Sequence, residues 1–280
     1  MKCFYHSVDF DGKCSGAIIK RAFPQCKVVG IDHGDPFPWD SIDHKEAVYM
    51  VDFSLPVGDM VVLANRCNLV WIDHHYGAIE QASKAKFHPA GLRRVGQGAC
   101  ELCWEFLYSG FKMPDAVWLL GRYDNLDLGA SENVLYFQRG LLAVSEDGMK
   151  PEASRWTSLL DNEPEAVNCV ISIGQIVSKA LELQDKEYAQ KYAFETTLEG
   201  MPAIAINKGI TSSLLFSSVW DSEKYHIMCT FVRRSDGQWD IRIYTPRNDI
   251  DLSEVARKHG GGGHRQAAGW STDICPFQTT

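Results

Sequence analysis

Asp73, His74 and His75 follow directly on the apolar run at residues 69–72 (Leu-Val-Trp-Ile), so a carboxylate and two imidazoles emerge together where a buried strand is expected to end. Oxygen and imidazole donors grouped in this way suit a divalent metal. The pattern recurs along the chain. The strand-like run at 2–8 delivers His6, Asp9, Asp11 and Gly12, the run at 47–51 ends in Asp52, and the apolar stretch at 116–120 leads to Asp124 and Asp127. One Asp in such a place commonly caps the next helix. Four separate segments that each deliver acid or imidazole groups point instead to a shared centre. Asp9 and Asp11 lie two apart, so in an extended segment their side chains would point the same way. Two carboxylates held on one side repel unless a cation or a proton intervenes, and a pair of divalent metals is the economical solution.

A second group of candidate residues lies near the end of the chain, where Gly260, Gly261, Gly262 and Gly263 run into His264 and Arg265. Out of context four glycines read as flexible linker. Here a helical pattern with its own cap precedes them and the compact segment 266–270 follows, which places them inside a domain. Glycines let backbone N–H groups turn toward an anion and form the concave nests that hold phosphate. His264 and Arg265 would add side-chain donors, the Arg as a fork suited to phosphate. Arg93 and Arg94, ahead of a helical pattern at 98–108, either supply further positive charge or are solvated surface residues.

The elements that must position these groups follow from hydrophobic period. Residues 1 to about 155 alternate short apolar runs with helical patterns at 12–21, 57–66 and 98–108, the signature of βαβ units and a parallel sheet. In such a sheet ligands bind outside the carboxyl ends of the strands. Residues 163–194 read as a long connecting helix with Asn162 as its cap and Pro164 in its first turn, or as two helices broken near Gly174. Beyond Thr196 the texture turns to strands at 201–206, 225–232 and 239–244, with a turn at 235–237. A last helix at 252–259 is opened by Asp251 with Glu254 three residues on, as in a capping box. The expected fold is α/β: a parallel-sheet catalytic domain over 1–160, a helical connection over 161–195, and a smaller α/β substrate-binding domain over 196–280.

Composition narrows the function. The 280 residues are 45% hydrophobic with a formal net charge of −8. This charge argues against a broad basic face that grips long duplex nucleic acid, because neutralised phosphates dominate that kind of affinity. Two divalent cations would bring the sum to −8 + 4 = −4, which is compatible with a short anionic ligand drawn to a local metal centre. The nine cysteines are an odd number scattered along the chain and do not form a disulfide framework. Cys100 and Cys103 make a C-x-x-C, but within a helical stretch and without a second pair at zinc-site spacing. Neither a leader-like start nor an uninterrupted apolar run near the ~20 residues of a membrane span is found. A cytoplasmic protein with no membrane partner is expected, and a homodimer is left open.

These motifs, taken in order, resemble the DHH phosphoesterases that carry a C-terminal DHH-associated domain. The matching segments are His6-Ser7-Val8-Asp9-Phe10-Asp11-Gly12, Val51-Asp52, Trp71-Ile72-Asp73-His74-His75, Asp124, and the run GGGGHRQAAG from Gly260 to Gly269. The resemblance implies two manganese ions, with magnesium or cobalt as substitutes, held by His6, Asp9, Asp11, Asp52, His74 and Asp124, with Asp52 bridging. It gives Asp73 an orienting role and His75 a contact to the substrate phosphate. The segment Gly261, Gly262, Gly263, His264 and Arg265, helped by Arg93 and Arg94, would hold the substrate. The implied activity is hydrolysis of phosphodiesters or phosphomonoesters in short nucleotides (oligoribonucleotides, dinucleotides, adenosine bisphosphate) by water activated between two metals.

Two features depart from the common pattern: the spacing His6-x-x-Asp9-x-Asp11, and Ile243-Tyr244-Thr245 where nucleotide-binding members often carry an Arg. Two alternative functions accompany this reading. A pyrophosphate or polyphosphate hydrolase would share the metal domain but pair it with a different C-terminal domain. A non-catalytic nucleic-acid-binding module would use the glycine-rich domain, which also resembles one attached to alanyl-tRNA synthetases, but it would call for a more basic chain.

Overall fold

Alternate residues of three short strands face opposite cores. In β1 (Lys2–His6), Cys3 and Tyr5 join one apolar cluster and Phe4 the other. Helix α1 (Phe10–Ala22) follows, then β2 (Lys27–Ile31) and β3 (Ala47–Val51), in which Tyr49 and Val51 face the first cluster and Val48 and Met50 the second. After α2 (Val57–Arg66), β4 (Asn68–Ile72) repeats the division with Ile72 against Leu69 and Trp71. This period of two is what a sheet covered on both faces requires. The structure, a computed structural model, describes residues 1–145 and 148–277 and divides into two compact units, Met1–Ser178 and a second from Lys179 onward.

In the first unit the strands lie in the order β2-β1-β3-β4, all parallel. The chain leaves β1 toward β2 on one side and continues to β3 and β4 on the other, which creates a topological switch point beside the carboxyl ends of β1 and β3. Helices α2 and α3 (Tyr76–Lys84) cover one face. The other is covered by α1, α4 (Ala99–Leu107), α5 (Asp115–Asp124), α6 (Glu132–Ala143), α7 (Arg155–Leu160) and the start of α8 (Pro164–Tyr192).

Several expectations are revised. The apolar stretch at 116–120 belongs to α5, so Asp124 arrives from the carboxyl end of a helix and not from a strand. Asp9 and Asp11 are not in an extended segment. Asp9 caps α1, accepting from Gly12 N at 2.9 Å, and Asp11 lies in the helix's first turn, so the two side chains go to different partners. Asn162 does not cap α8; its Oδ1 accepts from Asp115 N at 2.7 Å and closes the start of α5 instead. Helix α8 is unbroken at Gly174, where a Cβ would strike the Tyr136 carbonyl while a Cβ on Gly140 would strike that of Val170. The pair lets α6 and α8 approach backbone to backbone. With 29 residues, α8 is also long and apolar enough to cross a membrane by length and composition, and 22% of its most apolar stretch is buried.

The second unit takes the last turns of α8 and a mixed six-stranded sheet. Its strands are β5 (Phe194–Leu198), β6 (Met201–Asn207), β7 (Ile227–Arg233), β8 (Trp239–Tyr244), β9 (Gly262–His264) and β10 (Ala267–Thr272), in the order β5-β6-β7-β8-β10-β9. Helix α9 (Leu252–Lys258) packs Leu252, Val255 and Ala256 against Ile241, Ile243 and Trp270 on one face. Asp251 caps α9 by accepting from Ser253 N at 3.0 Å.

Candidate metal centre

The carboxyl ends of β1, β3 and β4 and the end of α5 bring seven donor residues together, His6, Asp9, Asp11, Asp52, His74, His75 and Asp124. Three overlapping sets of three result, His6 with Asp9 and Asp52, Asp11 with His74 and Asp124, and Asp52 with His74 and His75, the donor atoms of each lying within 4.8 Å of one another; the first two share no residue, and the third spans them. Asp52 joins them: its Oδ2 is 3.7 Å from His6 Nδ1 and its Oδ1 is 3.3 Å from His74 Nε2. His74 Nε2 also lies 3.1 Å from Asp124 Oδ2 and 3.7 Å from Asp11 Oδ2, and His6 Nδ1 lies 2.7 Å from Asp9 Oδ2. Despite this proximity, His6 Nδ1, both oxygens of Asp52 and His74 Nε2 are buried without a properly directed hydrogen bond. Buried polar atoms are nearly always hydrogen-bonded. Four orphans that crowd one spot are what a set of ligands aimed at a cation looks like, and the donor chemistry of carboxylates with one or two imidazoles per set fits manganese or magnesium.

Backbone and electrostatics tell the same story. Asp52 adopts a left-handed backbone (φ 54°), a conformation that costs an L residue roughly 1–2 kcal/mol and is better tolerated by Asp than by most. Burial opposes a charge on His74, yet the close carboxylates of Asp124 and Asp52 and the charge of Asp11 override it and push its pKa up to about 12. His6 behaves alike: burial works against protonation, and Asp52 and Asp9 outweigh it, to about 10. Asp11 is held well above the usual carboxylate range by burial and then by Asp52 and Asp124, and Asp52 is raised by burial and by its acidic neighbours. Four carboxylates, Asp9, Asp11, Asp52 and Asp124, carry a formal −4 that two divalent cations would cancel.

The surrounding residues lock this arrangement. Asp73 is fully buried; it accepts from His74 N (2.7 Å), His75 N (3.0 Å) and Trp71 Nε1 (3.0 Å) and pairs with His75 Nδ1 at 2.7 Å. Holding His75 by Nδ1 leaves Nε2 as its outward atom. Asp11 accepts from Ala99 N (2.7 Å) and Cys100 N (2.8 Å) at the start of α4, where the helix dipole favours a negative charge. Gly98 and Gly121 permit the approach: a Cβ on Gly98 would lie 2.5 Å from Gly121 Cα and 3.1 Å from Asp11 Oδ1. The buried Glu101 completes the junction, accepting from Gly98 N at 2.8 Å and from Arg122 at 2.6 Å. The sequence reading passed over Glu101 and Arg122, since a helical Glu and an Arg 21 residues apart carry no local signal. It also missed Asp32 and His33 beyond β2, although an acid and an imidazole after an apolar run repeat the pattern of the other strands.

Arg93 and Arg94 are committed to protein partners. Arg93 donates to the carbonyls of Trp71 (2.7 Å) and Pro89 (2.7 Å) and stacks over the Trp71 ring, tying its loop to β4. Arg94 is exposed and forks onto Glu105 at 3.0 Å through two nitrogens.

In the second unit the glycine run has two structural tasks. The amides of Gly260 and Gly261 bond the carbonyls of Arg257 (3.1 Å) and Ala256 (2.9 Å), so they end α9 and are not available to a four-amide phosphate nest. Gly261 and Gly263 have no room for a Cβ against β10, whereas Gly262 is open. Gly262 and Gly263 border an open groove of about 390 Å³ on the sheet face, with Asp240, Arg242, Tyr244 and Gly269 around it. Arg242 is exposed there opposite Gly269, one residue before the segment 243–245 in which the sequence reading looked for an Arg. Arg265 donates to the Asn248 carbonyl at 2.8 Å and lies 3.8 Å from Asp251, which holds the turn after β9 against α9. His264 is exposed at the end of β9.

The fold is that of DHH-domain phosphoesterases, matched over nearly the whole chain. One such structure is a pGpG-specific phosphodiesterase from Vibrio cholerae, with TM-score 0.56 and 15% identity over 96% of this chain and 92% of that one. Another is the DHH domain of a member of a family of ribosomal proteins, with TM-score 0.57 and 11% identity over 96% of this chain and 81% of that one. At these identities the likeness establishes the fold. No protein-family model matches the sequence, and no curated protein does.

Proposed function

We propose that the protein is a metal-dependent phosphoesterase that hydrolyses short nucleotides, with dinucleotides and short oligoribonucleotides as its first substrates and manganese as its preferred metal. The observation that carries this reading is the pair of separate three-donor sets linked through Asp52, with buried donor atoms that crowd together without a directed hydrogen bond among the described residues. In this assignment His6, Asp9 and Asp52 would hold one cation and Asp11, His74 and Asp124 the other, with Asp52 lying beside the donors of both. A bound pair of divalent cations lowers the pKa of water and neutralises phosphate oxygens. The chain's own residues then bind and orient. His75, fixed through Nδ1 by Asp73, presents Nε2 to a phosphate oxygen, and Asp11 is kept in place by the amides of α4. In the second unit, the exposed Arg242 and the open edge at Gly262 border a groove suited to a nucleotide.

The preference for a dinucleotide draws support from the fold shared with a pGpG-specific phosphodiesterase. A cytoplasmic location is in keeping with nine free cysteines, seven of them buried. The test is manganese-supplemented turnover of a dinucleotide, a ten-residue oligoribonucleotide, adenosine bisphosphate and pyrophosphate, resolved by product. Mononucleotide release from the dinucleotide at the highest efficiency is expected. Turnover of pyrophosphate alone would replace this reading with that of a pyrophosphate hydrolase.

A further inference from the structure

His6 meets a carboxylate from outside the donor sets through its far ring nitrogen. Its Nδ1 faces Asp9 and Asp52, while its Nε2 lies 3.4 Å from Oδ1 of Asp32. Strand pairing fixes this neighbour. His6 stands opposite Ile31 in the β1–β2 register, and Ser7 N donates to the Ile31 carbonyl at 3.0 Å, so the residue after β2 must fall beside the His6 ring. A tight turn then holds Asp32: its Oδ1 accepts from His33 N at 2.6 Å, its own N–H donates to Asp35 Oδ2 at 2.9 Å, and Gly34 supplies the left-handed backbone (φ 95°). The rings of His33 and Phe53 flank His6 at centroid separations of 5.7 and 6.3 Å.

A neutral imidazole that ligates through one nitrogen carries its proton on the other, and a carboxylate on that proton fixes both the tautomer and the ring's orientation. We infer that Asp32 is a positioning residue of the metal centre: it accepts the Nε2 proton of His6 and so commits Nδ1 to the cation shared with Asp9 and Asp52. The inference rests on the metal-centre reading above. It gives β2, the edge strand that contributes no ligand, a part in the site, and it makes one of the two cation positions depend on a residue that does not touch the cation.

The experiment is calorimetric titration of manganese into the metal-free full-length protein and three variants. Wild type is expected to bind two ions. Asp32→Ala should weaken one of them by about 10- to 100-fold, the usual cost of losing such a partner, and leave the other unchanged. Asp32→Asn keeps an oxygen acceptor at Oδ1 and should stay within about threefold of wild type. Asp35→Ala loosens the same turn without removing the acceptor and should also bind both ions. In the magnesium-loaded protein, imidazole nitrogen resonances should show His6 protonated at Nε2 in wild type and Asp32→Asn, and a mixture of tautomers in Asp32→Ala. Wild-type affinity for both ions in Asp32→Ala would overturn the inference. So would a loss in Asp32→Asn as large as in Asp32→Ala, which would make Asp32 a charge or a ligand, or an equal loss in Asp35→Ala, which would make the turn itself the cause. A wild-type protein that binds no ion would overturn the metal-centre reading and this inference with it, an outcome distinct from the others.

Discussion

Loading the centre must expel protons, and the structure sets how many. Without a cation, His6 and His74 are each surrounded by carboxylates, and despite their burial they are protonated up to about pH 10 and about 12. To ligate through Nδ1 and Nε2 respectively, both rings must lose that proton, so at pH 7.5 binding of the metal pair should release about two protons. Asp11 and Asp52, whose pKa values are raised by burial and by acidic neighbours, can only add to the count. Two protons make the overall binding constant rise about 100-fold per pH unit, or ~2.7 kcal/mol, between pH 6.5 and 8.5. Calorimetry of manganese binding at one pH in buffers of different ionisation enthalpy gives the number directly, and repeating it across pH gives the slope. A release near zero with an affinity flat in pH would refute the pairing of these histidines with the acidic cluster. The stability sign is opposite. For both histidines the folded pKa lies above the unfolded value of about 6.5, so their contribution to metal-free stability is complete below that pH and declines as pH rises, until it is lost through about 10 for His6 and about 12 for His74. The melting temperature of the metal-free protein should therefore fall between pH 7 and 10, while that of the manganese-loaded protein should change far less.

Other outcomes follow from the same geometry. Asp52→Ala or His74→Ala should reduce hydrolysis by more than about 100-fold, beyond what the loss of an outer partner costs, with the circular dichroism spectrum preserved; near-normal activity of both at saturating manganese would contradict their role. His264→Ala should impair turnover of a dinucleotide without loss of bound metal, and a variant that purifies depleted of metal would move His264 into the centre. Gly261→Ala, whose new Cβ meets Gly269 O and Trp270, should destabilise the protein by about 1–3 kcal/mol in chemical denaturation. Gly262→Ala, with open space around it, should stay close to wild type, and equal effects would refute the packing account of the glycine run.

Much of this organisation was legible because period and punctuation coincide with burial. The pattern at 57–66 is the helix Val57–Arg66, and Asp52 and Asp73 do stand past the buried ends of β3 and β4. What escaped reading is mostly what tertiary packing decides. Residues 116–120 are apolar because α5 buries Ala116, Val117, Leu119 and Leu120, while the exposed Trp118 fills the gap in the helical period, and a short apolar run cannot by itself separate strand from helix. Asn162 looked like a local cap but serves a helix 47 residues away. The glycine at 174 looked like a break, but its missing side chain serves the crossing with α6. Strand β2 is a short edge strand, half exposed and interrupted by Gly30, so its period was weak and the Asp32 and His33 beyond it were overlooked. Arg242 escaped because a displacement of one residue in a strand changes which face a side chain occupies.

The central claim is a centre that works only with two cations joined through Asp52. It is tested most directly by adding manganese stepwise to metal-free protein held well above its dissociation constants, with dinucleotide hydrolysis read at each step. The account requires little activity through the first equivalent and a plateau at the second. A plateau at one equivalent, or activity in the absence of added metal and in the presence of a chelator, would contradict it.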